Sequence, residues 1–225
     1  MTNKSSLRAK PGLRTRGRRS NAQALATRAR IVRAAERLFA AKGYRGVSMR
    51  DLARRCGVHM FTVQHHFGSK LALYREILRL RDQEVETLLG RILAEERSAR
   101  GLVERVVDEL FDFFLAHRDA VALGARAVLG EGLPRLGSIA EHGWVRFMSS
   151  TMRARRIGAP GIDVRLLLIT VEGILNNHAL AVGHYQHLFG RDVTDPEVAA
   201  RTKAHLKRVI LSILGSATKL STALF

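Results

Sequence analysis

The sequence predicts an all-α protein, a small three-helix unit near the N-terminus followed by a larger helical domain, and three observations predict it. The 225 residues include only 4 prolines, so few positions forbid a helix interior. Ala, Leu and Arg dominate, and these residues favour helix. Apolar residues recur at three- and four-residue spacing rather than alternately, the pattern of an amphipathic helix rather than a strand.

Thr27 to Lys42 reads as a first helix, with Ile31, Ala34, Ala35, Leu38 and Phe39 on one face and Gly43 as its stop. Ser48 opens a second, short helix and forms an approximate capping box with Asp51, Asp standing where Glu is usual. Met49, Leu52, Ala53 and Cys56 are its inward side, and Gly57 supplies a turn that calls for positive φ. A third helix runs from about His59 to Phe67, with Val58, Val63 and Phe67 inward, and Gly68 and Ser69 end it and cap the next. Longer helices follow: Lys70 to about Arg97, Gly101 to His117, Ala120 to Leu129, about Pro134 to Ile157, Asp163 to near Gly190, and a last one to about Gly215. Asp195 with Pro196 opens that last helix as N-cap and first helical residue. The chain divides into a basic arm, 1–26, expected to be disordered, a helix-turn-helix domain, 27–74, and a helical domain, 75–225.

The formal charge is +18, and residues 1 to 30 hold nine Lys or Arg and no acid. Such a balance points to an anionic partner: nucleic acid, an acidic membrane face or an acidic protein. The single cysteine, Cys56, rules out an intrachain disulfide and suits a reducing, cytoplasmic setting; on the inward face of its helix it reads as a buried structural thiol. The basic N-terminus lacks the apolar run of a signal peptide, and the most apolar stretch, Leu166 to Leu175, is short and broken by Glu172, so no membrane partner is expected.

Short helices separated by a glycine turn make a helix-turn-helix, whose third helix can enter a DNA major groove. It leaves His59, Met60, Phe61, Gln64 and His65 outward. An exposed Met beside an exposed Phe suits thymine methyls, and Gln64 can pair with adenine. Thr62, His65 and His66 can reach phosphates, as can Lys70, Arg50 and the N-terminus of the second helix at Ser48. Arg14, Arg16, Arg18 and Arg19, directly before the first helix, form an arm for phosphates or a minor groove. No nucleophile motif or Gly-rich phosphate loop accompanies the histidines, so neither catalysis nor a cofactor is expected. A basic protein that binds any nucleic acid is the competing class, but side chains shaped for base edges have no role in contacts to phosphate alone.

These stretches resemble the DNA-binding domain of the TetR family of bacterial regulators: Ile31 to Phe39, Gly43-Tyr44, Ser48 to Ala53, Gly57-Val58, Thr62-Val63 and His65 to Lys70. The chain departs from the family pattern at His59, where Ser or Thr is usual, at Phe61, where a small residue is usual, and at Gln64, where Tyr is common. The resemblance implies a double-stranded DNA operator, a small-molecule effector of unknown identity and a homodimer. The dimer would form through the last two long helices, Asp163 to Gly190 and Asp195 to Gly215, and half-sites would lie one helical turn apart, roughly 34–36 Å. A repressor released or recruited by its effector is the role implied.

Phe114, Trp144 and Phe147 can line an effector pocket or simply fill a bundle core. Asn176, Asn177 and His178 interrupt an apolar helix, and as buried polar groups they need a ligand or an interhelical partner. His184 and His187 are three apart, a spacing a metal can use, but no fitting third ligand follows, and a place on a polar surface or at an interface is the plainer reading.

Overall fold

The computed structural model describes residues 13–129, 143–154 and 163–222. These residues form ten helices and no strand: α1 (Leu13–Lys42), α2 (Met49–Cys56), α3 (Met60–Phe67), α4 (Lys70–Glu95), α5 (Ala99–Ala116), α6 (Arg118–Val128), α7 (Gly143–Ala154), α8 (Val164–Leu180), α9 (Val182–Phe189) and α10 (Pro196–Thr222).

Two departures from the sequence reading are physical. First, α1 begins at Leu13, not near Thr27, so residues 13–26 are helical rather than disordered. Ala22, Ala24, Leu25 and Ala26 are strong helix formers, and no proline follows Pro11 in this stretch to interrupt them. Second, the helix expected from Asp163 to Gly190 breaks at Ala181, where α8 and α9 bend by 70°. The Ala179 carbonyl accepts from Arg118 Nε at 2.7 Å, so an outside donor satisfies it at the break. Gly183 just beyond adds little helix propensity. The turn expected at 130–134, and the ends of the helix expected over 134–157, lie outside the described residues.

The caps at Ser69, Asp163 and Asp195 follow the sequence reading, while Ser98, ahead of the expected start at Gly101, was not singled out by it. Ser69 accepts from Ala72 N at 3.1 Å, Ser98 from Gly101 N at 3.0 Å, Asp163 from Arg165 N at 2.9 Å and Asp195 from Glu197 N at 3.0 Å. Each meets an amide that the helix cannot.

Two cores organise the chain. The head core gathers Ile31, Phe39, Leu52, Val63, Phe67, Leu73, Tyr74 and Ile77 from α1–α4, together with Leu123 from α6. The body core gathers Leu89, Ile92, Leu110, Phe111, Trp144, Met148, Val171 and Leu175 with residues of α9 and α10. Helix α4 runs through both, and α6 leans on α1 and α8. Lys203–Asp112 and Lys207–Asp108 ion pairs, each 2.6 Å, tie α10 to α5. No single helix among the described residues is long and apolar enough to cross a membrane.

Candidate functional site

The second helix starts as the sequence predicts. Asp51 N donates to Ser48 Oγ at 3.1 Å, and Ser48 N donates back to Asp51 Oδ2 at 3.1 Å, a complete capping box. The Ser48 hydroxyl also donates to Asp51 at 2.6 Å. These bonds hold the half-buried Asp51 carboxyl below its usual range. They also commit the Ser48 side chain to the cap, leaving the exposed Arg50 as the cation on this helix that the sequence reading singled out. Gly57 follows at φ 62, a left-handed conformation that a residue with a Cβ rarely adopts, and it turns the chain into α3.

Helix α3 is anchored by Val63, 0% exposed, and Phe67, 9% exposed. Its outer face carries Met60 at 43% and Phe61 at 76% exposure, with Gln64 and His65 exposed beside them and Thr62 and His66 half-buried. The Phe61 and His65 rings stack with centroids 6.3 Å apart, so the outward aromatic is braced one turn along. His59, exposed, is the N-cap but its side chain makes no capping bond. The departure from Ser or Thr at this position therefore leaves the helix start to backbone bonds, Thr62 N to His59 O at 2.9 Å among them.

Lys70 is placed differently from a phosphate ligand. Its Nζ donates to the Tyr44 carbonyl at 3.0 Å and the Val47 carbonyl at 2.9 Å and lies 4.2 Å from the Tyr44 ring centroid. It fastens the loop between α1 and α2. Arg28 packs over the Phe67 ring at 5.2 Å and pairs with Glu76, binding α1 to the back of α3 and to α4. Arg14, Arg16, Arg18 and Arg19 fall in the first turns of α1, and their side chains lie outside the described residues.

A cavity of about 430 Å³ opens between α4, α5, α6, α7 and α8. Phe114, Trp144 and Asn176 line it. Asn177 and His178 line a separate cavity of about 600 Å³ at α8, α9 and α10, where His178 Nδ1 meets the Tyr185 hydroxyl. Phe147 lines neither: it packs against α4, its Cζ 3.9 Å from where a Cβ on Gly90 would stand.

The sequence reading missed the ionisable groups of the first cavity: Arg81, Asp82, His117 and Glu172. Burial pushes the Asp82 carboxyl up to about 6 and the Glu172 carboxyl up to about 7, and it lowers His117 so that the ring is neutral more readily. Glu172 had a visible signal, being the sole charge in the apolar run 166–175. Asp82 had none, lying among charged neighbours on α4.

Comparison with known proteins agrees with this architecture. The profile described as "Bacterial regulatory proteins, tetR family" matches residues 31–77, from α1 through α3 into α4. The HTH-type transcriptional regulator UidR of Escherichia coli (strain K12) is 31% identical over 172 residues, 68% of this chain and 82% of UidR. The HTH-type transcriptional repressor KstR2 of Rhodococcus jostii is 31% identical over 99 residues, 43% of this chain and 47% of KstR2. In fold, the structure of FadR from Bacillus subtilis in complex with stearoyl-CoA superposes with a TM-score of 0.59 at 16% identity, over 82% of this chain and 96% of FadR. With the head, its outward α3 face and these likenesses together, the chain belongs to the TetR family of bacterial regulatory proteins and is a helix-turn-helix, DNA-binding transcriptional regulator.

Proposed function

We propose that this regulator is a homodimeric, cytoplasmic repressor whose grip on its operator is set by a small molecule held in the 430 Å³ cavity. The observation that carries this reading is the double role of α6. Its Leu123 is fully buried in the head core, while Val121, Gly124 and Ala125 on the same helix line the cavity. A molecule that favours one position of α6 thereby favours one placement of the head, and only such differential binding shifts the balance. That FadR is seen with stearoyl-CoA supports a small-molecule partner for this architecture.

Base reading falls to Met60, Phe61, Gln64 and His65, the exposed face of α3, and phosphate contact to Arg50, His59, Thr62 and His66 with the N-terminus of α2. The dimer would use α8, where Leu166 is 64%, Ile169 52% and Leu180 40% exposed, together with the outer face of α10. An apolar stripe of this kind on a monomer marks an interaction surface.

Fluorescence anisotropy on DNA from upstream of the protein's own gene tests the reading, with random DNA and two salt concentrations in parallel. Tight binding to the specific DNA that survives raised salt supports it. Equal binding to random DNA that vanishes with salt would mean that phosphate contacts alone drive association.

A further inference from the structure

The cavity also has a charge character. Its wall carries two carboxyls, Asp82 from α4 and Glu172 from α8, among Val85, Phe113, Phe114 and Trp144. Glu172 is 8% exposed, and it lies close enough to Asp82 to feel that charge. Asn176, one turn along α8, hydrogen-bonds the Glu172 carboxyl. Glu86 adds negative charge behind Asp82, while the Gly143 amide and the exposed Arg146 of α7 oppose it.

Among the described residues, the cation in the same wall, Arg81, is already engaged. Arg81 stands 3.3 Å from the Glu36 carboxylate of α1, pairs with Glu84, and places NH1 3.3 Å from His117 Nδ1. An anionic ligand would have to compete with two carboxylates for it. Asp82 and Glu172 have partners as well, the Gly143 amide and Asn176. Both carboxyls sit above their ordinary values, at about 6 and about 7, so burial outweighs the favourable contacts that each one makes. A positive charge brought into the cavity relieves that imbalance, and aromatic faces in the wall add attraction for a cation.

We propose that the effector is a lipophilic organic cation, a quaternary, phosphonium or protonated amine centre on an aromatic or branched apolar body, with its charge lodged beside Asp82 and Glu172. This rests on the reading of the cavity as the effector site.

The only tryptophan, Trp144, lines the cavity and reports on it by fluorescence. The full chain is titrated at pH 7.5 with tetraphenylphosphonium, with tetraphenylborate, which has the same shape and the opposite charge, and with neutral triphenylphosphine oxide. The phosphonium should bind saturably and roughly tenfold or more tighter than the borate. Glu172→Gln and Asp82→Asn, each checked for native helicity by circular dichroism, should weaken the phosphonium roughly tenfold and leave the phosphine oxide unchanged. Borate binding as tightly as phosphonium, or phosphonium binding unchanged in both variants, overturns the charge assignment. Binding of the neutral probe without charge preference overturns that assignment while supporting the cavity as the effector site. Silence of Trp144 towards all three probes overturns both readings.

Discussion

Tyr74 on α4 donates its phenolic hydroxyl to the Leu123 carbonyl of α6 at 2.8 Å, across the junction of the head with the rest of the molecule. The ring is 1% exposed and is crossed edge-on by Phe39 at 5.2 Å and Tyr44 at 5.5 Å. Replacing Tyr74 by Phe keeps the ring packing and deletes the bond. The expected cost is about 1 kcal/mol in denaturant unfolding, with weaker transmission from effector to DNA. An unchanged midpoint together with unchanged effector response would show that the bond is idle.

On DNA, Phe61→Ala and Gln64→Ala should each cost about 1–3 kcal/mol on the specific site and relax base preference. Both side chains lie on the outer face of α3, so folding should be unaffected. Equal losses on random DNA would remove them from base reading.

Lys70 and Arg50 should behave oppositely. Lys70→Met gives up two carbonyl bonds and should lower stability by about 1–2 kcal/mol without changing the salt dependence of DNA binding. Arg50→Ala, on the exposed side of α2, should leave stability alone and reduce the salt slope by about one. Titrations at a series of salt concentrations decide between these assignments.

The contribution of the two cavity carboxyls to stability should fall as pH rises through the range between their ordinary and their native values. Glu172 has a pKa of about 7 against an ordinary 4.5, so between those values the folded chain holds a proton that the unfolded chain releases. The folded state is therefore favoured at low pH and loses that advantage as pH climbs towards 7, the sign required when the native state binds more protons. Asp82 acts in the same direction, from 3.8 to about 6. Glu172→Gln should shrink the loss of unfolding free energy between pH 5 and 8 by ~2–3 kcal/mol. A variant with the same pH profile as the parent would contradict the burial argument.

The apolar stripe of α8 gives a final expectation. Leu166→Glu places a charge on the exposed stripe of α8, and light scattering should then show monomer where the parent is expected to be dimeric. Persistence of the dimer would move the interface elsewhere.

Much of this was legible in the residues. Gly57, Ser48 with Asp51, and Asp195 with Pro196 act within a few positions of themselves, so their turn and caps could be read locally. The burial of Val63 and Phe67 followed from helical period, and the exposure of Phe61 and Gln64 from the same count. The break at Ala181 was not legible, because the donor that meets the Ala179 carbonyl is Arg118, 61 residues away. The role of Lys70 was hidden for the same reason: its partners Tyr44 and Val47 lie on the far side of two helices. The pocket readings divide between two cavities according to rotation about a helix axis. Asn176 and Asn177 are adjacent in sequence yet line different cavities.

The insertion of Leu123 into the head core also bears on how the molecule is made. The DNA-reading helices are complete by residue 67 and α4 by residue 95, yet one wall of their interior arrives only with α6. During synthesis the head must wait for α5 and α6 to emerge before its packing closes. A fragment ending after α4 would have its recognition helix but an open seam beside Tyr74, and it should behave as a loosely packed, protease-sensitive species.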